Sequence, residues 1–297
     1  MDEQQLVEVH RAVTTEVVGR RREVRLVLAA VTSGRDLVLE GPPGTSKSTL
    51  LRAITTAVGA PLLFVEGNAD LTTAKLVGHH NPSQVMREDF SATTFVEGPL
   101  VHAMRVGGFL YVEEINRAPE DTLNALLTAI AEREITVPRV GIVRAEPGFR
   151  VVASMNPFDN VGTARISRSV HDRLCRVVIG YQTAEEEREI VARRTGSTDE
   201  NLIDVAVDLT RATREHDSIR QGSSVRGAID FVFVAEQLLE LENETKVTTA
   251  DDLFDAMLVA LSGRIEVEDT ADRTAEDILR EIFQDRYILR PRLAAPG

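Results

Sequence analysis

The chain has 297 residues, of which 43% are hydrophobic and 27% are charged, and its formal net charge is −13 at pH 7. These values are typical of a soluble globular protein with one large and one smaller domain, and the negative charge argues against broad binding to the phosphate backbone of nucleic acid. A lone cysteine, Cys175, excludes an internal disulfide and a cysteine-rich zinc site, and we expect it to pack in the protein interior.

The N-terminal segment predicts neither export nor membrane insertion. It begins Met1-Asp-Glu-Gln-Gln5, without the basic start and apolar centre of a signal peptide. No apolar run approaches the roughly 18 residues that cross a bilayer, so we expect a cytoplasmic protein. Residues 5–33 are predicted to form one or two helices that stop near Gly34, and the basic cluster Arg20–Arg25 is expected to be a solvated helix face.

A glycine-rich turn follows the first predicted strand, residues 36–40. The stretch Leu37-Val-Leu-Glu-Gly-Pro-Pro-Gly-Thr-Ser-Lys-Ser-Thr-Leu-Leu51 passes from an apolar strand through this turn into a helical pattern. Gly41 and Gly44 permit a tight turn whose backbone N–H groups point inward, and the helix N-terminus adds partial positive charge. The arrangement predicts a cradle for nucleotide phosphates.

Three side chains of this loop bear on its chemistry. Lys47 supplies a positive charge for the outer phosphates, and Ser48 is placed to ligate Mg²⁺. Ser46 stands where the phosphate-loop pattern has its second glycine, so we expect it to fit at some cost in backbone freedom. The alternative is an ordinary strand-turn-helix with a chance lysine, which the strand and helix on either side disfavour.

The next segments predict a parallel sheet interrupted by an insertion. An apolar helix face ending at Gly59 leads to a strand at 62–65, and such a strand-helix-strand unit requires parallel strands. Residues 69–100 show little periodicity and are expected to form an insertion with loops. The pair His79-His80 within it is not expected to bind metal, because adjacent histidines point in different directions.

Two carboxylates end the predicted strand in Phe109-Leu-Tyr-Val-Glu-Glu-Ile-Asn-Arg-Ala-Pro119. Ligands of open α/β sheets bind at the carboxyl ends of the strands. Because alternate residues diverge there, Glu113 is expected to hold Mg²⁺, directly or through water, and Glu114 to orient or deprotonate the attacking water. A strand that simply exits into a charged turn is the alternative, and the phosphate loop earlier in the chain disfavours it.

Downstream segments complete the predicted sheet and add helices. Residues 135–143 read as a hairpin, and a core strand at 149–154 leads to Asn156, whose amide is a candidate for holding the lytic water or touching the γ-phosphate. An ordinary Asn-Pro turn is the alternative role. Beyond residue 183 the pattern is helical, near 184–194, 200–215, 224–242, 249–262 and 274–285, with Thr249 and Thr274 as plausible caps.

Taken together, these motifs resemble the MoxR group of AAA+ ATPases over nearly the whole chain. The similar segments are Glu40–Ser48 (Walker A), Val112–Pro119 (Walker B), Ala153–Pro157 (sensor 1), Asp172–Leu174 (after sensor 1), Val17–Arg20 (bordering the adenine), Phe95–Leu100 (before Walker B) and Arg211–His216 (in the lid).

The resemblance implies an α/β fold: a P-loop AAA+ core with a parallel sheet flanked by helices at residues 1–182, and an all-helical lid domain at 183–297. It implies that ATP and Mg²⁺ are bound, that the protein forms a homo-oligomer, by family a hexameric ring, and that it remodels or matures a protein client, often one with a von Willebrand factor A domain. Hairpin 135–143 and insertion 69–100 are the surfaces expected to touch the client.

The resemblance also assigns site residues. Asn156 corresponds to sensor 1, Arg226 to sensor 2, and Arg173 to the arginine finger offered to the next subunit, with Arg168 as the second candidate. Arg211 and Arg214 are expected to form salt bridges on exposed helix faces. The implied catalytic set is Glu114, Lys47, Asn156, Arg173 and Arg226, and the implied nucleotide-binding set is Val18, Gly19, Gly41, Pro42, Pro43, Gly44, Thr45, Ser46, Lys47, Ser48 and Thr49.

Two departures from the family pattern stand out. Glu113 replaces the usual aspartate, and its extra methylene lengthens the reach to Mg²⁺, so hydrolysis could be slow. Ser46 matters less, since the group often has alanine there. Two other functions stay open: a nucleotide-gated binding scaffold that turns over very slowly, and a nucleic-acid motor, which the acidic balance disfavours.

Overall fold

An all-parallel sheet of five strands lies at the centre of the first part of the chain. In the computed structural model, which describes residues 3–88, 91–157, 168–241 and 249–288, the contacts divide the chain into two units, Met1–Gly180 and Tyr181–Gly297. The first unit has the described strands β1 (Leu37–Glu40), β2 (Leu62–Glu66), β3 (Gly78–His80), β4 (Phe95–Glu97), β5 (Phe109–Glu113), β6 (Glu134–Val137), β7 (Gly141–Arg144), β8 (Arg150–Met155) and β9 (Cys175–Val178).

The sheet order is β2-β5-β8-β1-β9, and every neighbouring pair is parallel. In this order β8 lies between β5 and β1, with Val112 opposite Ala153 and Glu40 opposite Met155. The parallel sheet predicted from the strand-helix-strand pattern is therefore confirmed. The edge strand β9 was not predicted, because its four residues carry no clear apolar alternation.

Helices cover both faces of the sheet. The described helices of the first unit are α1 (Glu3–Glu16), α2 (Arg21–Thr32), α3 (Lys47–Ala57), α4 (Thr73–Val77), α5 (Pro82–Glu88), α6 (Pro99–Val106), α7 (Glu120–Glu132) and α8 (Arg168–Arg173). Leu39 and Tyr111 pack with α1–α3 on one face, whereas Val38 and Leu110 pack with α4, α6 and α7 on the other. Because both faces are buried, the strands read as nearly continuous apolar runs.

Two small antiparallel pairs stand apart from the main sheet. The predicted hairpin at 135–143 is present as β6 and β7, with Ile135 opposite Val143. In the segment 69–100, β3 pairs with β4, with His79 opposite Val96. These two pairs adjoin, since His80 Nε2 lies 3.2 Å from the carbonyl oxygen of Pro138.

The second unit is helical, as predicted, with one short addition. Its described helices are α9 (Ala184–Thr195), α10 (Glu200–Ala212), α11 (Val225–Leu241), α12 (Ala250–Leu261) and α13 (Ala275–Phe283), and the addition is the antiparallel pair β10 (Ile219–Gln221) and β11 (Glu266–Val267). Thr249 caps α12 and Thr274 caps α13, each in a reciprocal capping box with an aspartate three residues on. Across the described ranges, no helix has both the length and the apolar character that a bilayer crossing requires.

Two side-chain placements differ from expectation. Cys175 is exposed at the start of the edge strand β9, so the prediction that it packs in the interior was wrong. Arg20 is only 3% exposed, whereas Arg21, Arg22 and Arg25 face solvent as expected of the basic cluster. Arg20 precedes the first turn of α2, so the helical periodicity used to place the cluster does not apply to it.

Candidate functional site

The glycine-rich loop occupies the carboxyl end of β1, near the middle of the sheet. A Cβ atom on Gly41 would lie 2.0 Å from the carbonyl oxygen of Ile179, so only glycine fits this close approach of two backbones. Gly44 has φ +73°, a conformation that residues with a side chain rarely adopt. Within the turn, Thr45 Oγ1 donates to the carbonyl oxygen of Pro42 at 2.8 Å. These contacts give the loop one defined shape.

Ser46 adopts the left-handed conformation at the junction of the loop and α3. Its φ is 65° and its ψ is 23°, in the region that glycine occupies without steric cost. For a residue with a Cβ atom this conformation costs about 1–2 kcal/mol. The serine therefore occupies a glycine-type position under strain, which is the cost in backbone freedom expected from the sequence.

Lys47 and Ser48 lie in the first turn of α3, at the end of the helix that carries partial positive charge. The ammonium group of Lys47 donates to the carbonyl oxygens of Gly41, at 2.8 Å, and Pro42, at 2.7 Å. It therefore lies over the loop that the sequence predicts to cradle phosphates. Ser48 follows as a half-buried hydroxyl.

Glu113 is the last residue of β5 and shares a sheet face with α3. Tyr111, two residues earlier, packs among the residues of α1–α3, and side chains two apart on a strand point to the same face. The carboxylate of Glu113 thus lies on the side of the sheet that α3 covers, and Ser48 stands in the first turn of that helix. Hard oxygen donors are the ligands that Mg²⁺ prefers, so the residues present fit this ion.

Glu114 leaves the strand in a left-handed turn, with φ 50° and ψ 47°. Strand alternation alone therefore does not set the direction of the second acid, because the chain turns at Glu114. Its Oε2 lies 3.0 Å from Nη1 of Arg117. Such strained backbone conformations are concentrated at functional sites.

Gly67, which directly follows β2, packs against the backbone of both acids. Its N–H donates to the carbonyl oxygen of Glu113 at 2.7 Å. A Cβ atom at Gly67 would lie 2.3 Å from the carbonyl oxygen of Glu114. This residue was missed from the sequence, although a glycine directly after a core strand was the available signal.

Asn156 follows β8, the strand between the loop strand and the acid strand. The N–H of Gly41 donates to the carbonyl oxygen of Met155 at 3.1 Å, which ties the end of β8 to the start of the loop. Since neighbouring strands lie about 4.8 Å apart, the loop strand and the acid strand are about 10 Å apart, with β8 between them. The loop, the two acids and the amide thus lie at the carboxyl ends of three neighbouring strands.

Tyr111 and Ser154 form a polar pair beneath the acids that sequence reasoning also missed. The Tyr111 hydroxyl lies 2.9 Å from Ser154 Oγ and 3.4 Å from Glu113 Oε1, and it can donate its single proton to either oxygen. Burial raises the pKa of Tyr111 well above its usual range, so the phenol stays protonated as a donor. The signal in the sequence was a tyrosine two residues before an acid in an otherwise apolar strand.

Arg20 joins the segment after α1 to the phosphate loop. Its Nη2 donates to the carbonyl oxygens of Thr45, at 3.0 Å, and Gly180, at 2.7 Å. Val18 is half-buried and Gly19 has φ +70° in the same segment, which the resemblance places beside the adenine. Arg20 thus fixes this segment relative to the loop.

The arginines predicted to act on the γ-phosphate stand on different helices of the fold. Arg173 is exposed at the end of α8, a helix anchored by the buried side chains of Val170 and Leu174. The side chain of Arg168, the second candidate for the finger, lies outside the described residues. Arg226 is exposed in the first turn of α11 and belongs to the second unit.

Arg211 and Arg214 do form salt bridges, but with a buried partner. Glu187 on α9, 1% exposed, lies 3.0 Å from Nη1 of Arg211 and 2.7 Å from Nη1 of Arg214. Arg214 also donates to the carbonyl oxygen of Ser223 at 2.6 Å and lies over the ring of Tyr181. The expectation of pairs on exposed helix faces was wrong, because α9 and α10 pack with this polar cluster between them.

Comparison with known proteins places these features in a family. Residues 36–174 match the model of the AAA domain, dynein-related subfamily. The chain is 30% identical over 210 residues to the uncharacterized protein YojN of Bacillus subtilis, which covers 68% of this chain and 68% of the relative. It is 28% identical over 228 residues to an uncharacterized protein of Staphylococcus epidermidis, 74% of this chain and 85% of that one.

Solved structures show the same fold. A proposed ATPase from Cytophaga hutchinsonii superposes with a TM-score of 0.54 at 21% identity, over 95% of this chain and 94% of that one. NtrX from Brucella abortus in complex with ADP gives a TM-score of 0.58 at 18% identity, over 91% and 61%. RuvB from Thermotoga maritima, a Holliday junction branch migration motor, gives a TM-score of 0.53 at 16% identity, over 84% of this chain and 72% of that one.

Proposed function

The chain belongs to the AAA+ ATPases, and on that premise we propose that it binds and hydrolyses ATP with Mg²⁺ at subunit interfaces and uses the cycle to remodel or mature a partner protein. One observation carries the proposal: the glycine-rich loop, the paired acids and Asn156 lie at the carboxyl ends of three adjacent strands. Ligands of open α/β sheets bind at this edge.

Each residue has a role that follows from its chemistry. Lys47 and the amides of the loop hold the phosphates, and Ser48 with Glu113 would hold Mg²⁺. The ion, when bound, neutralises charge on the β- and γ-phosphates. Glu114 takes the proton of the attacking water as general base, and the amide of Asn156 aligns that water.

Arg173 of a neighbouring subunit is proposed to stabilise the charge that develops on the γ-phosphoryl group. In other nucleotide hydrolases such a residue contributes roughly 10³–10⁵ in rate. AAA+ ATPases typically oligomerise, and a residue supplied in trans implies a head-to-tail interface that closes a ring on repetition, here a hexamer by resemblance to the MoxR group. Arg226 in the second unit is proposed to contact the γ-phosphate and couple its state to movement of that unit.

The client is proposed from the same resemblance: a protein, often one with a von Willebrand factor A domain. The surface proposed to touch it combines the β6–β7 hairpin with the β3–β4 pair. The contact of His80 with Pro138 supports treating the two as one surface, because it joins them directly.

The substitution Glu114→Gln tests the enzymatic part. It removes the general base and keeps the size of the side chain, so turnover should fall roughly 10²–10⁴-fold while ATP affinity is retained. Phosphate release and calorimetric titration with ATP measure the two quantities. Lys47→Ala is the companion variant, in which ATP affinity itself should be lost. Retained turnover in Glu114→Gln contradicts the assignment.

The same variant tests the client. Glu114→Gln loaded with ATP should retain a partner protein that is released without nucleotide, and capture from an extract of the source cells under both conditions measures this. If the same proteins are recovered in both, nucleotide-driven remodelling is wrong. A faster rate of ATP hydrolysis in the presence of DNA would instead favour a nucleic-acid motor.

Two observations favour a second function, a nucleotide-gated binding scaffold. Glu113 stands where the family usually has aspartate, and the proposed general base Glu114 is paired with Arg117. Both features are expected to slow hydrolysis. A scaffold would bind ATP tightly and release almost no phosphate at concentrations where the protein is assembled. Steady-state turnover at those concentrations therefore distinguishes the two functions.

A further inference from the structure

The Tyr111 hydroxyl is a polar group placed deep in an apolar layer and directed toward the metal-side acid. Tyr111 is 1% exposed, and its ring packs with the residues of α1–α3. A phenol is seldom buried this completely without a hydrogen-bond partner. Here the partners are Ser154 Oγ at 2.9 Å and Glu113 Oε1 at 3.4 Å.

The strand register explains why these three groups meet. Val112 lies opposite Ala153, so Tyr111 and Glu113 on β5 and Ser154 on β8 follow on the same face by alternation. Ser154 is itself 1% exposed. When the phenol donates its single proton to the carboxylate of Glu113, the Ser154 hydroxyl can donate in turn to the phenol oxygen and hold it at a fixed place on the sheet.

The length of the acid matters for this contact. Glu113 has one methylene more than aspartate, and the added C–C bond, about 1.5 Å long, lets the carboxylate approach the phenol beneath it. An aspartate at the same position would hold its carboxylate closer to the backbone, and the phenol would have a poorer hydrogen-bond acceptor. Tyr111 and the glutamate thus form a matched pair.

We propose that Tyr111, anchored by Ser154, is a positioning residue that orients the carboxylate of Glu113 toward the Mg²⁺ of bound ATP. This inference rests on the proposed function of the site. The glutamate reaches farther than aspartate and has one more rotatable bond, and the phenol restricts that freedom. Partners of this kind, one step removed from a metal, commonly contribute 10–100-fold to metal affinity.

The variant Tyr111→Phe removes only the hydroxyl. The Mg²⁺ concentration that half-saturates ATP binding, measured with a fluorescent ATP analogue in the absence of turnover, should rise about tenfold. Affinity for the analogue in excess chelator should not change, because the loop and Lys47 are untouched. Tyr287→Phe is the matched control, since its ring stacks on Phe283 in the second unit, and its Mg²⁺ dependence should equal that of the wild type.

The background Glu113→Asp separates positioning from general damage. The Tyr111→Phe effect on Mg²⁺ dependence should largely disappear there, because the shorter acid has lost the contact already. An equal effect on both backgrounds, or unchanged Mg²⁺ dependence in Tyr111→Phe, overturns the inference. Ser154→Ala is the second variant if Tyr111→Phe fails to fold, with a smaller rise expected and no rise contradicting the anchor.

The two proposals fail in different ways. If the wild type binds no ATP analogue with or without Mg²⁺, the proposed function is wrong and this inference falls with it. If the wild type binds the analogue in a Mg²⁺-dependent manner and the tyrosine variant behaves identically, only the positioning role is wrong.

Discussion

At the scale of single residues, the left-handed Ser46 predicts a stabilising substitution. Ser46→Gly removes the steric cost of φ 65° and should raise the free energy of unfolding by about 1 kcal/mol, a melting temperature rise of about 2–4 °C. Thermal unfolding measures the shift, and ATP affinity should be kept. Ser33→Gly is the control, because Ser33 has φ −78° and glycine relieves nothing there. A stabilisation equal at both positions would show that strain at Ser46 is not the cause.

Replacement of Gly67, which packs against the backbone of the two acids, is expected to destabilise the protein. In Gly67→Ala the new Cβ would lie 2.3 Å from the carbonyl oxygen of Glu114, so the backbone of the two acids must shift. We expect a loss of about 1–3 kcal/mol in unfolding free energy and a drop in phosphate release of tenfold or more, because small misplacements of catalytic groups are costly.

The control for Gly67 is Gly263→Ala, where a Cβ would meet no atom within 4 Å. That variant should keep both stability and turnover. Urea unfolding and a phosphate-release assay measure the two quantities. Normal turnover in Gly67→Ala would show that Glu114 tolerates displacement and does not serve as a tightly placed base.

At the scale of elements, one buried carboxylate connects α9, α10 and the turn before α11. Glu187→Ala leaves Arg211 and Arg214 without their shared anion, and breaking a buried ion pair in this way costs about 3–5 kcal/mol. Glu189→Ala is the control on the same helix, because Glu189 pairs with Arg193 in solvent, with side chains 48% and 51% exposed. An exposed pair is worth about 0–1 kcal/mol.

Urea unfolding followed by circular dichroism compares the two α9 variants. Equal destabilisation would mean that the cluster around Glu187 is screened by solvent and does not stabilise the second unit. The same cluster holds Ser223 through Arg214, so we also expect Glu187→Ala to loosen the start of α11, where Arg226 lies.

At the scale of the whole molecule, the proposed arginine finger predicts complementation between defective subunits. Arg173→Ala and Glu114→Gln should each be inactive alone. A mixture creates interfaces in which an intact Glu114 meets an intact Arg173, so phosphate release should partly recover, as expected for a site shared between subunits. Wild-type turnover per subunit should also rise with protein concentration.

Two controls accompany the mixing experiment. A mixture of Lys47→Ala and Glu114→Gln subunits should not recover activity. Each site takes its Lys47 and its Glu114 from the same subunit, so no site in this mixture has both. Arg21→Ala is a matched surface variant, since Arg21 is exposed on α2, and it should be active alone. Full activity of Arg173→Ala at all concentrations contradicts its role in trans.

The sequence by itself determined the residue types of the site and their immediate setting. The glycine-rich loop, the two acids and Asn156 each stand at the end of an apolar run, and local periodicity locates such strand ends because it depends only on neighbours in the chain. Helix caps such as Thr249 were readable for the same reason. The parallel arrangement also followed, since a strand-helix-strand unit permits little else.

Only the tertiary structure decided which of these ends meet. The position of β8 between β5 and β1, the burial of Arg20 under the loop and the anion shared by two arginines around Glu187 all join residues far apart in the chain. The contact of Tyr111 with Ser154 spans 43 residues. Periodicity carries no information about such pairs, because the strand order and the packing of the helices create them.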